Sequence, residues 1–155
     1  MEKRLIPILA FLLLLAVLAG CGAEKTVQFD PQEAADALLA SDAYEDILSP
    51  IQPKIAAMLY GVDAESIESC SVYCSTGATA EEIAVFRCRD EASADALKQA
   101  AKQRIQDQKD AYVSYAPQEV PKLENALLRT AGVYVVCVVA NDYSAVTPVL
   151  DKYIK

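Results

Sequence analysis

The chain has 155 residues, with 14 Lys and Arg against 22 Asp and Glu, a formal net charge of −8, five Cys, five Gly and no His. Such acidity argues against nucleic acid, whose phosphates select faces rich in Lys and Arg, and against adsorption on anionic lipid, which needs basic clusters. The absence of histidine removes the usual general base, the Ser-His and Cys-His nucleophile pairs and the commonest zinc ligand, and with them most hydrolase mechanisms.

At the N-terminus Lys3-Arg4 precede an apolar run from Leu5 to Ala19 broken only by Pro7, and small residues follow before Cys21. A short positive region, a hydrophobic run and a small-residue end make a secretory signal. The run of about fifteen residues falls short of the roughly 20 that a spanning helix needs. Leu18-Ala19-Gly20-Cys21 resembles the bacterial lipobox, which implies a diacylglyceryl group on the Cys21 thiol and cleavage before it. Two acyl chains anchor stably where one is marginal. The expected organisation is a lipoprotein signal peptide over 1–20, a lipidated tether over 21–29 and a single α+β domain over 30–155. Removing residues 1–20 takes away Glu2, Lys3 and Arg4, one net positive charge, so −8 becomes −9. The lipid on Cys21, rather than charge, would then hold the protein on the extracytoplasmic face of the cell membrane. The mature length suits one domain and is too short for a two-lobed substrate-binding lipoprotein.

Asp30, Pro31 and Glu33 form a helix start, with an N-cap, a proline at the first helical position and an acid at the third. Ala34, Ala35, Ala37, Leu38 and Leu39 continue that helix to about Ser41-Asp42. Pro50 and Pro53 break the next stretch; Ile55, Ala56, Met58 and Leu59 then make a short helix that Gly61 stops. From Ile67 the period becomes two, with Cys70, Val72 and Cys74 on one face and Ser69, Ser71 and Tyr73 on the other. Residues Thr76 to Ala80 turn the chain, and Glu82 to Arg89 returns as the second strand of a hairpin. Asp90 caps a long helix over 91–115, carried by Ala94, Leu97, Ala101, Ile105, Ala111, Tyr112 and Tyr115, and Pro117 and Pro121 end it. A second strand pair follows, 124–129 and 133–140, about Ala131-Gly132. Val133 to Val139 is apolar on both faces, which predicts a central, covered strand. Asp142 or Ser144 starts a last helix, with Pro148 in its first turn. The economical assembly is α+β: N-terminal helices, then ββα-ββα, as a four-stranded antiparallel sheet with helices packed on one face.

Few residues carry chemistry. No Gly-x-Gly-x-x-Gly run cradles a phosphate. The acid pairs Glu81-Glu82 and Glu45-Asp46 read as solvated faces, because adjacent residues point apart. Cys70, Cys74, Cys88 and Cys137 sit at alternating core positions of strands, unlike thiolates converging from loops on a metal, so no metal or cofactor is expected. They read first as small buried hydrophobes; in an oxidising compartment a Cys70 to Cys88 disulfide is the favoured pair if the hairpin is centred on Thr79. Arg104, Gln108, Tyr112 and Tyr115 follow one another at spacings of four, four and three along one side of the long helix. That stripe is either structural, with Arg104 paired to an acid and the tyrosines covering the core edge, or a polar groove for a peptide or carboxylate.

Glu82-Ile83-Ala84-Val85-Phe86, Arg104 with Gln108, Tyr115-Ala116-Pro117, Leu123-Glu124-Asn125-Ala126 and Gly132-Val133-Tyr134-Val135-Val136 together resemble an uncharacterised family of small lipoproteins from Gram-positive, mostly clostridial, bacteria. That family is a domain of unknown function, so the resemblance implies an envelope location and no reaction. The expected role is a non-catalytic module binding an envelope protein or small ligand. The alternative is an accessory subunit docking on a membrane complex, and an enzyme comes third.

Overall fold

The computed structural model describes residues 27–155; the signal, Cys21 and the first tether residues lie outside the described residues. The elements run α1 (Pro31–Leu39), β1 (Ser49–Ile51), α2 (Pro53–Tyr60), β2 (Ile67–Cys74), β3 (Glu82–Cys88), α3 (Glu91–Tyr115), α4 (Val120–Glu124), β4 (Leu127–Ala131), β5 (Tyr134–Val139) and α5 (Tyr143–Leu150). The class is α+β, as the alternation of periods predicts.

The starts and stops follow local chemistry. The Asp30 carboxylate accepts from Gln32 N, and Pro31 occupies the first helical position. Gly61 ends α2 at φ 64°, a left-handed conformation that glycine adopts without a Cβ penalty. The Asp90 carboxylate accepts from Ser93 N and starts α3, whose bounds match the sequence reading.

The sheet departs from that reading in two ways. It has five strands, all antiparallel neighbours, in the order β1-β2-β3-β5-β4. The added strand is β1, which pairs Ser49 with Cys74 and Ile51 with Val72. Its three residues are too few to show a period, and Pro50 is compatible only with an edge position. Helices also cover both faces instead of one. On one side α1 and α5 bring Ala34, Ala35, Leu38, Val146 and Leu150 against Ile83, Val85, Val136 and Val138. On the other, α2 and α3 bring Ala56, Tyr60, Leu97 and Ala101 against Val72, Ala84, Phe86, Val135 and Cys137. The reason is that β3 and β5 pair directly, from Glu82 opposite Val139 to Arg87 opposite Tyr134. Both are apolar on both pleat faces, so a single helical layer would leave half of each strand in water.

Pro148 is the third difference. The helix begins at Tyr143, so the proline falls in its sixth position rather than its first turn. In an eight-residue helix that costs one intrahelical donor and leaves the Ser144 carbonyl without the amide that would normally reach it.

The two ends of the sheet differ in what they carry. Where β5 begins, Phe29 stacks on Tyr134 with ring centroids 4.2 Å apart, and Tyr134 Oη bonds to Phe29 O at 3.0 Å. At the far end of β3, Glu82 and the 75–81 turn meet α3 and α4 in a small cluster of Ala80, Tyr112, Ala116, Leu123 and Val139.

Candidate functional site

The two helices on the β3 face do not close on each other at that far end. Ala56 and Tyr60 turn α2 inward, which leaves Ile55, Met58 and Leu59 outward at 44%, 70% and 40% exposure. The facing side of α3 presents Gln103, Arg104, Asp107, Gln108 and Ala111. Between them lies a hollow of about 540 Å³, walled by Met58 to Gly61 and by those α3 residues. A second hollow of about 380 Å³ continues toward Ile51, Ile55, the 75–80 turn and Tyr112. Leu59, Arg104 and Gln108 line both, so the two form one cleft.

Its floor is ionic. The Arg104 guanidinium donates from Nε at 3.1 and 3.2 Å and from Nη2 at 2.5 Å to the Glu82 carboxylate. Tyr60 Oη donates to the same carboxylate at 2.5 Å, and the guanidinium carbon lies 5.3 Å from the Tyr60 ring centroid. Burial by itself disfavours the charged guanidinium, but the hydrogen bonds and charge of Glu82 more than offset it and raise the Arg104 pKa. Burial, then the Glu82 charge, push the Tyr60 phenol well above its usual value. The same two causes push the neighbouring thiols Cys74 and Cys137 up to about 12. Both are therefore protonated at neutral pH and poor nucleophiles.

A second ionic cluster lies on the opposite side of β3. Lys122 Nζ sits 3.0 Å from Glu45, 3.1 Å from Glu81 and 3.1 Å from Glu119. The Glu81 carboxylate also accepts the backbone amides of Glu45 and Asp46, and Glu119 accepts that of Ala80. Burial opposes the ammonium charge, but three carboxylate partners raise the Lys122 pKa. One lysine thus ties together the 43–46 loop, the hairpin turn and α4. The adjacent acids Glu81 and Glu82 do point apart, but neither is solvated: they are 1% and 3% exposed, each turned toward its own buried cation. Nothing in the local sequence marks either cation, because Arg104 and Lys122 lie 22 and 41 residues away.

The α3 stripe is only partly assembled as a site. Arg104 and Gln108 line the whole cleft and Tyr112 its second hollow. Tyr112 is buried, and its hydroxyl donates to Thr79 O at 2.6 Å. Tyr115, 61% exposed, stands outside the lining with its ring centroid 4.8 Å from that of Tyr112. Cys70, Cys74, Cys88 and Cys137 all face α2 and α3 as free thiols. The hairpin register is centred on Ala78, not Thr79, which sets Cys70 opposite Phe86 and Cys88 opposite Ile67. The direct cross-strand pair on which a Cys70 to Cys88 bond depended is not formed. The sequence reading missed Tyr60, Glu82 and the α2 wall; the only available signal was Met58-Leu59 beside Ala56-Ala57, more apolar surface than one short helix can bury.

No curated protein and no solved structure matches the chain. The model of a family described as a domain of unknown function, DUF4358, covers residues 42–140. That span includes both walls of the cleft and both ionic clusters, and it exceeds half of the sequence. The chain belongs to this family, DUF4358.

Proposed function

We propose that the protein is a lipoprotein of the extracytoplasmic membrane face, anchored through Cys21, and that it works as a non-catalytic binding module whose site is the cleft between α2 and α3. The observation that carries the binding role is the cleft itself, in which an exposed apolar wall of Ile55, Met58 and Leu59 faces the Arg104 guanidinium, fixed by its partly buried ion pair with Glu82. Preorganised polar groups beside apolar surface are what recognition sites share. Catalysis has less to support it: the floor carboxylate is already engaged by Arg104 and Tyr60, and the nearby thiols are protonated.

The anchor supports the same reading. Phe29 brings the chain into the domain at the sheet end where β5 begins, whereas the Glu82 floor of the cleft lies at the other end of β3. Seven residues at ~3.3 Å each separate the two ends by roughly 20 Å. A lipid on Cys21 would thus join the domain at the sheet end away from Glu82.

The test is capture from native membranes with the lipidated wild-type chain and with Met58→Glu. Met58 is 70% exposed, so the charge should leave the fold intact. A partner retained by the wild type and lost by Met58→Glu is the expected result; equal retention by both would overturn the assignment of the site.

A further inference from the structure

We propose that the cleft takes an extended peptide segment of another envelope protein, with apolar side chains beside a lysine or arginine. This rests on the binding reading above and names the class of ligand. The first argument is length. The lining on α3 runs from Ala100 to Tyr112. At 1.5 Å per residue that is roughly 18 Å, which accommodates about five residues of extended chain at ~3.3 Å each.

The second argument is hydrogen-bonding capacity. The half-buried Gln108 amide makes no hydrogen bond among the described residues, and the Arg104 to Glu82 contacts use Nε and Nη2 and leave Nη1 without a partner there. An amide that both donates and accepts, one helical turn from a free guanidinium edge, matches the alternating N–H and C=O of an extended backbone. Apolar side chains of such a segment would rest on Ile55, Met58 and Leu59.

Charge supplies the third argument. Glu81 and Glu82 are neutralised by Lys122 and Arg104. Among the described residues Asp107, in the lining, meets only the Gln103 amide, at 2.7 Å. Asp46 meets the hydroxyls of Ser75 and Thr76, which line the second hollow. Each hollow thus has an uncompensated carboxylate beside it, and both favour a basic side chain.

The experiment selects a displayed library of random ten-residue peptides on the full chain held in detergent micelles. The expected result is enrichment of sequences that place alternating apolar residues beside Lys or Arg. Asp107→Lys and Met58→Glu should each weaken the best of these tenfold or more, while Lys152→Glu, far from the cleft, leaves it unchanged. Failure to enrich any sequence, enrichment of acidic ones, or binding indifferent to both cleft substitutions would overturn the inference. So would concentration-dependent dimerisation abolished by Met58→Glu, which would put a second copy in the cleft. No enrichment together with Met58-dependent capture from membranes would overturn the peptide class alone and leave the binding reading standing.

Discussion

Removing the Arg104 guanidinium leaves the Glu82 carboxylate, 4% exposed, against Tyr60 with no countercharge. Breaking one side of a fully buried ion pair costs ~3–5 kcal/mol, and that is the upper range for this partly buried one. Arg104→Ala should therefore lower the midpoint of denaturant unfolding by a clear margin, whereas Gln108→Ala, which removes no intramolecular bond, should leave it nearly unchanged. A destabilised Gln108→Ala, or an Arg104→Ala as stable as wild type, would reverse the roles given to the two residues. The charged groups also set a pH window. Partners raise the Lys122 pKa, so its contribution is complete below the unfolded value near ~10.4 and is lost as pH climbs through the higher folded value. Hydrogen bonds to Ser75, Ser93 and Ser144 lower the pKa values of Asp46, Asp90 and Asp142 respectively. Their contributions are present above the unfolded value near ~3.9 and fade as pH falls through the depressed folded values. Burial raises the Cys74 and Cys137 thiols to about 12, so they begin to lose their contribution sooner, once pH passes the unfolded thiol value near ~8.5. Thermal melting should thus be flat between about pH 5 and 7.5 and decline above it, and a steep change inside that range would contradict this assignment.

At the scale of elements, α3 shows what a cap contributes. Asp90→Asn keeps an acceptor for Ser93 N but no charge, so it should preserve most of the melting temperature while removing part of the acid-side decline; Asp90→Ala should lose both. Equal melting of the two variants at every pH would mean that the side chain caps nothing. The same elements show how far the sequence could be read. The α3 bounds and the β2–β3 hairpin were legible because each sustains one period over many residues; the second hairpin was legible only from its Ala131-Gly132 turn and apolar run, and its first strand begins at Leu127 rather than Glu124, because residues 120–124 form the helix α4. Strand β1 was not: three residues around Pro50 have no period, and only the backbone of β2 makes them a strand. Helices on both faces were legible in part, since Val133 to Val139, apolar on both sides, already required cover twice. The ion pairs were hidden for another reason. Glu81 and Glu82 look like any exposed acid pair until the fold brings cations to them from α3 and α4, and the Met58 and Leu59 wall looks like core until α3 is seen to stop short of it.

For the whole molecule, the proposed arrangement joins a lipid on Cys21 to a cleft on the face that α2 and α3 cover. Cys21→Ala should abolish incorporation of a labelled fatty acid, leave the precursor uncleaved by the lipoprotein pathway and mislocalise the domain. A wild-type chain that takes up no label would refute the anchoring proposal. The family span, 42–140, leaves out α1 and α5, which cover the sheet face opposite the cleft. The most direct test of the cleft as the working surface is photocrosslinking in native membranes, with a photoreactive residue in place of Met58 and, separately, in place of Lys152. A discrete adduct from position 58 and none from position 152 is the predicted result; no adduct at 58, or the same adducts from both, would contradict it.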